Sequence, residues 1–437
     1  MALVRPFRGI RYNPEFVKDY SQVMCPPYDV ISPTEQDAYY RLNKHNYIRI
    51  ELTKELPGDS EYDNKYDLAS NTLERWLEEG ILLPESKPAI YIHEHYFTLE
   101  DYRYCRRSII AAVRLEEWSK MIVRPHEGTL FKARSDREAL LRSTKANTSP
   151  VFVMYEDQDK AVKQLLSSLT KSRPQLNSDG YDDEHHHLWI ITEPDSIDAL
   201  SGLFNQKPLY IADGHHRYES ALKYKREQEA ILGNNATGDE PFNYLMMEMV
   251  DFQDPGLVNL PPHRLVRGVS RNTINSLMPK LEYLFDITEV HLDHPEAWID
   301  IEAMMSKSQN TCLALFGLGG DRIHIIEVKD HQKLNQMMPA FHSDLYNKLD
   351  VSIIDHVILE GLLGLTDMTD LSRIAFNHNI REIIDLVKNR EYQLAIILRP
   401  MSPEVIKEVA DANQRMPRKS TYFHPKLPSG LVLNRLF

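Results

Sequence analysis

The stretch Lys207–Ala230, KPLYIADGHHRYESALKYKREQEA, constrains the fold more than any other. Its first six residues read as a short apolar strand. Tyr218, Ala221, Leu222 and Lys225 then recur at helical spacing, so a helix is expected to start near His215. Asp213 and Gly214 supply the turn between them. His215, His216 and Arg217 therefore fall in the first helical turn, where the helix dipole is already positive. Cations belong there if an anion is held there. A glycine at the turn lets backbone approach a phosphate, and the amides of the first turn can bind it. Arg217 would add a charge-assisted fork. The alternative is that His215 and His216 pack or cap while Arg217 pairs with a nearby carboxylate.

A strand feeding a helix within 437 residues, among irregularly alternating elements, predicts a mixed α+β (α/β) fold. A division near residue 268 is expected, with an N-terminal region 1–268 carrying the turn and a C-terminal region 269–437 ending in a basic tail. Charge limits the partners. With 64 acidic against 51 basic residues the net charge is −13, which disfavours nucleic acid, since counterion release needs a broad basic face. A small anion would need a local basic pocket or a metal ion. Cys25, Cys105 and Cys312 are scattered singly, without zinc or disulfide spacing, as expected of a reducing cytoplasm. No run approaches the roughly 20 apolar residues of a membrane helix, and the N-terminus lacks a signal-like apolar segment.

Further elements are readable. PPYDVISPTEQ is a turn ending in an N-cap, with Ser32, Pro33 and Glu35 at capping-box positions. DLASNTLERWLEEGILL is an amphipathic helix closed by Gly80, and strands on either side of Asp101 form a hairpin. RSDREALLRSTKANTSPVFVMYED gives a helix and then a buried strand, and a second hairpin turns at Gly319-Gly320-Asp321. Residues 176–187 and 231–241 read as polar loops.

Three further stretches carry candidate chemistry. In HEGTLFKARSDR, His126 and Glu127 stand together after a proline, as a general base or metal ligand on a loop would, and Arg137 offers another anion contact. A solvated loop and a helix cap at Ser135 or Asp136 is the plain alternative. RKSTYFHPK gathers Arg418, Lys419 and Lys426 with Ser420 and Thr421, side chains suited to phosphate or Mg2+, although no P-loop glycines precede them. PPHRLVRG adds His263 and two arginines. The tail, broken by Pro417, Pro425 and Pro428, is expected to run irregularly and to fold back against the Asp213–Arg217 turn. Three patterns are set aside. His185–His187 reads as part of a solvated loop, His93 and His95 share a strand face with no third ligand at a telling interval, and Gly317–Gly320 is a hairpin turn without a following helix.

PPYDVIS, PHEGT with SDREALL and KANTSPVF, ADGHHRYESAL, PPHRLVRG, LDVSIIDHVIL and MPRKSTYFHPK occur here in one order. Together they resemble a bacterial and archaeal family known only as a domain of unknown function, from Arg5 to about Leu433. The DGHHR turn also resembles the ParB/sulfiredoxin-like nucleotide-binding fold, which includes kinases of free serine. That likeness implies such a core elaborated by a second mixed region, with nucleotide phosphates at the turn. His215 stands where sulfiredoxin needs a cysteine, and no helix-turn-helix reader is evident. The resemblance thus points to a kinase using ATP or ADP and Mg2+, acting on free serine or a similar hydroxyl metabolite. Gly214, His216 and Arg217 would hold phosphates, Asp213 would hold Mg2+ or orient His216, Glu127 would be the base, and Arg137 and Lys419 would neutralise charge. A nucleotide-binding switch without turnover, and a metal-dependent phosphoester hydrolase using His126, Glu127, His215 and His216, are the alternatives.

Overall fold

Along Tyr102–Arg114 the residues Ile109, Ala111 and Val113 enter one apolar cluster, while Ile110 and Ala112 enter another. A strand covered on both faces requires that alternation. The computed structural model describes residues 2–55, 64–129, 131–292, 297–308, 310–366, 370 and 372–437. The chain divides into two compact units that interleave in sequence. The first comprises Met1–Pro125, Thr129–Val258 and Phe423–Phe437; the second comprises His126–Gly128 and Asn259–Tyr422. Both contain helices and strands, so the fold is mixed α+β. Against the expected division near 268, residues 259–268 pack with the second unit and 423–437 return to the first, because long-range strand and side-chain contacts group the chain.

The first unit is built on a nine-stranded mixed sheet. Its strands are β1 (Val4–Arg5), β2 (Ile90–Leu99), β3 (Tyr102–Arg114), β4 (Val123–Arg124), β5 (Val151–Tyr155), β6 (Leu176–Asp179), β7 (His185–Ile191), β8 (Leu209–Asp213) and β9 (Tyr244–Asp251). Their order is β4-β8-β5-β9-β3-β2-β7-β6, with β1 beside β3. β4–β8 and β5–β9 are parallel and the other pairs antiparallel. The expected hairpin around Asp101 is the β2–β3 turn, where Glu100 adopts a positive φ of 54°. Residues 176–187 correct the loop expectation: most of them form β6 and β7, paired in register from Leu176–Leu188 to Asp179–His185. Three consecutive histidines on a short polar strand hide its period of two. Only the middle one, His186, is fully buried.

Helices cover this sheet. α1 (Pro33–Leu42) starts with the expected capping box, Ser32 accepting from Glu35 N and Glu35 reaching back to Ser32 N. α2 (Lys65–Glu78) ends before Gly80, whose φ is +70°. α3 (Phe131–Thr144) and α4 (His215–Leu232) lie against each other. Tyr218, Ala221 and Leu222 of α4 join Ile211 of β8 and Val151 and Val153 of β5 in one core cluster. On the opposite face Tyr12, Tyr47, Trp76 and Tyr91 form the second.

In the second unit six strands form an antiparallel sheet, namely β10 (His263–Val266), β11 (Phe285–His291), β12 (Cys312–Phe316), β13 (Arg322–Val328), β14 (Ile374–Asn377) and β15 (Leu394–Ile397). The order is β11-β13-β12-β15-β10-β14. The expected Gly319–Asp321 turn joins β12 and β13. Helices α5 (Ala297–Lys307) and α6 (Ile380–Lys388) contribute Ile301, Met305, Ile383 and Ile384 to its core.

Candidate functional site

β8 does not run straight into the turn. Its register against β5 shifts between Ile211 and Asp213, a bulge that re-aims the last residue of the strand. Gly214 follows with φ +96°, a conformation that costs a residue with a Cβ. α4 then begins at His215 with no side-chain cap at its N-terminus. The strand, turn and helix stand as the spacing predicts.

The carboxylate of Asp213 meets a cation on each oxygen. Arg217 NH2 donates to Oδ2 at 2.7 Å, and Lys426 Nζ donates to Oδ1 at 2.5 Å. Burial pushes the Asp213 carboxyl up, but Lys426 and Arg217 outweigh it and hold it well below the usual range. The tail does fold back: Phe423–Phe437 belongs to the first unit, and Lys426 is its contact with the turn. These pairs alter the expected roles. Arg217 takes the pairing alternative, its NH1 also donating to Pro150 O at 2.5 Å and to Ser149 Oγ at 3.2 Å. Asp213, holding two cations, is poorly suited to take a metal ion as a third.

A second carboxylate lies deeper. Glu51 is fully buried and accepts from Thr148 Oγ1 at 3.0 Å and Ser149 Oγ at 3.2 Å, with Arg137 NH1 at 3.6 Å. Arg137 donates to Glu51 O and, through Nε and NH2, to Asp136. Its guanidinium carbon sits 3.8 Å from the centroid of the Tyr28 ring. Arg137 is thus held inside the unit by two carboxylates and a ring, and its donors face protein groups. Ser149 joins the two systems, so Arg137, Glu51, Ser149, Arg217, Asp213 and Lys426 form one continuous polar chain. Beside it lies a small cavity of about 40 Å³, lined by Arg137, Asn147, Thr148, Ser149, Arg217 and Ser220. That is far below the about 300–1,000 Å³ usual for small-molecule sites.

His215 is buried and His216 half-buried. Burial lowers the His216 pKa, against the opposing charges of Asp29, Glu219 and Asp213. Tyr28, its phenol pushed up to about 12 by burial, feels Arg137, Arg217 and Asp213. The motif PPYDVIS thus brings Tyr28 and Asp29 to the turn. Reading it only as a helix start missed this, and its Tyr-Asp pair before the cap was the available signal.

His126, Glu127, Lys419, Ser420 and Thr421 gather in the second unit. Met416 N donates to His126 O at 2.8 Å, and Lys419 N donates to Glu127 Oε1 at 2.7 Å. His126 Nε2 lies 3.2 Å from Thr421 Oγ1, and Ser420 Oγ donates to Pro417 O at 2.5 Å. The Lys419 side chain is exposed. His263 is buried on β10, its Nδ1 accepting from Leu398 N at 3.2 Å. Burial lowers its pKa to about 3, so it brings no charge to an anion near neutral pH.

A family model described as a protein of unknown function (DUF1015) matches residues 4–352. The chain belongs to this family. No curated protein matches the DUF1015 chain by sequence. Among solved structures it is similar to a free serine kinase in complex with AMP, at 11% identity and a TM-score of 0.37, covering 76% of this chain and 93% of that one. A conserved hypothetical protein from Pyrococcus furiosus is similar at 12% identity and a TM-score of 0.36, over 76% of this chain and 97% of that one. SbnI with a C-terminal truncation, from Staphylococcus aureus, is similar at 9% identity and a TM-score of 0.33, over 73% and 84%. Among the described residues, no helix is long and apolar enough to cross a membrane.

Proposed function

We propose that this DUF1015 protein is a nucleotide-dependent small-molecule kinase, using ATP or ADP with Mg2+ and phosphorylating free serine or a similar hydroxyl metabolite. One observation carries the reading: a bulged strand ends on a left-handed glycine and opens an 18-residue helix without a side-chain cap. Such a terminus offers backbone amides and a positive dipole end to a phosphate. Charge at the turn supports it. Arg217 and Lys426 bring two positive charges to the single negative charge of Asp213, so the trio keeps a net charge of +1 near the phosphates. Arg217 then acts as a positive wall behind the anion, with the amides near Gly214, and His216, making contact.

Mg2+ would arrive with the nucleotide. Asp29, which faces His216, is better placed to hold it than Asp213. Glu127 remains the proposed base for the acceptor hydroxyl, with Lys419, Ser420 and Thr421 beside it, and Asp29 is the competing carboxylate. Binding without turnover is the second reading. It is favoured by the hydrogen bond from Lys419 N to Glu127, which weakens that carboxylate as a proton acceptor.

Acceptor-dependent consumption of ATP or ADP, measured with and without serine and Mg2+, tests the proposal. Turnover only with an acceptor supports the kinase, and saturable binding without turnover supports the switch. Neither binding nor turnover would remove both.

A further inference from the structure

We propose that the second unit binds a small organic phosphate monoester with a flat apolar body, in a pocket lined by the Gly319–Gly320 turn and the end of α6. The site is independent of the kinase reading, and every residue that lines it lies between Asn259 and Tyr422. The pocket measures about 520 Å³, inside the range of about 300–1,000 Å³ usual for small-molecule sites.

Elements far apart in sequence bring its charges together. Arg271 opens the short helix Arg271–Asn275, Lys388 ends α6, and Arg390 follows two residues later. Among the described residues, Asp321 is the one carboxylate on the wall. Lys388 Nζ lies 3.2 Å from Asp321 Oδ1, but both side chains are well exposed, so water screens this pair and a ligand can replace it. The Arg271 and Arg390 side chains meet no carboxylate or other polar partner among the described residues. Elsewhere in the unit Arg322, Arg373 and Arg399 each face one. Three cations against one acid leave the pocket at +2 in a chain of net charge −13. A phosphate monoester carries close to two negative charges near neutral pH, and its oxygens match guanidinium forks.

Helix capping does not account for these cations. Asn389 N donates to Asp385 O, Arg390 N to Val387 O and Glu391 N to Leu386 O, so backbone amides already take the last carbonyls of α6. Lys388 offsets the helix dipole where it stands. Arg390 is held at φ +62°, the left-handed position that glycine usually fills after a helix, and a side chain there costs stability. Strain of this kind persists where the side chain is used. Gly319 and Gly320 line the pocket with backbone alone, which lets an anion come close. The rest of the wall sets the ligand's body. Ile274, Val387 and the half-buried ring of Tyr392 give it an apolar part, against which a flat group can lie.

Calorimetric titration of the full chain with phenyl phosphate, inorganic phosphate and phenol tests the site. Phenyl phosphate is expected to bind saturably, more tightly than either fragment, and to weaken as salt is raised. Arg271→Ala and Arg390→Gly should each lower its affinity about tenfold or more. Arg390→Gly should also melt no lower than the unaltered chain, because glycine suits that backbone, so loss of binding there is not loss of fold. Absence of saturable binding would overturn the proposal, as would full affinity in both arginine variants. Inorganic phosphate binding as tightly as phenyl phosphate would remove the apolar body from the ligand class. A probe held instead at the Asp213–Arg217 turn would be lost in Gly214→Ala and kept in the arginine variants, which also overturns the site. The kinase reading is judged by turnover, so either proposal can fail without the other.

Discussion

Lys426 Nζ sits 2.5 Å from Asp213 Oδ1, joining residues 213 positions apart in sequence. Neither side chain is more than one-fifth exposed, so the pair is shielded from most of the screening that weakens surface ion pairs. Replacing Lys426 with Met should cost about 1–3 kcal/mol, because Asp213 loses one of its two cations in a partly buried place. The check is a double-mutant cycle with Asp213→Asn in denaturant unfolding. A coupling energy near zero would mean that the contact contributes nothing.

Gly214→Ala places a Cβ on a left-handed backbone, 3.0 Å from the Arg217 guanidinium. A residue with a Cβ held in that region costs on the order of 1–3 kcal/mol, and relief of the strain would turn the first-turn amides away from a phosphate. A nucleotide at 100 times its dissociation constant should raise the stability of the unaltered protein by about 2.7 kcal/mol. The variant should lose most of that protection. Full protection in a folded variant would move the phosphate site elsewhere.

Glu127→Gln keeps the shape of the side chain and its acceptor for Lys419 N, but removes the carboxylate. If Glu127 is the base, turnover should fall by about 10²–10⁴ with nucleotide affinity unchanged. Asp29→Asn run in parallel separates the two candidates. A large loss from Asp29→Asn alone reassigns the base to the turn.

His263 supplies a pH signature of the second unit. Burial lowers its pKa to about 3, whereas the unfolded chain takes up the proton near the ordinary histidine value of about 6.5. Between those values the unfolded state binds more protons, so the contribution to stability is present above about pH 6.5 and is lost as pH falls toward 3. His263→Gln should flatten the fall in melting temperature across that window. An unchanged slope would assign the acid sensitivity to other histidines.

Local chemistry was legible in the sequence. Ser32, Pro33 and Glu35 announce a capping box, and Asp213-Gly214 announces the turn into α4, because the groups that decide each conformation lie within a few residues. Partners set by the tertiary fold were not. Nothing beside Arg137 in sequence points to Glu51, 86 positions away, and a cationic side chain reads alike whether it meets ligand or protein. The basic tail did signal a return to the turn. It did not say that Lys426 would make the contact with Asp213 while Lys419 stays exposed in the other unit. His185–His187 misled for a different reason. Polarity suggested a loop, and only strand pairing shows that the middle imidazole points inward while its neighbours do not.

The interleaving of the two units gives the chain an order of assembly. Asp213 and Arg217 are synthesised early, but Lys426 leaves the ribosome only after the whole run Asn259–Tyr422 has been made. Until then Asp213 has one of its two cations, and the turn's acid and base cancel. The positive excess that would attract a phosphate depends on that later-made residue, so a chain cut before Lys426 carries the turn without it.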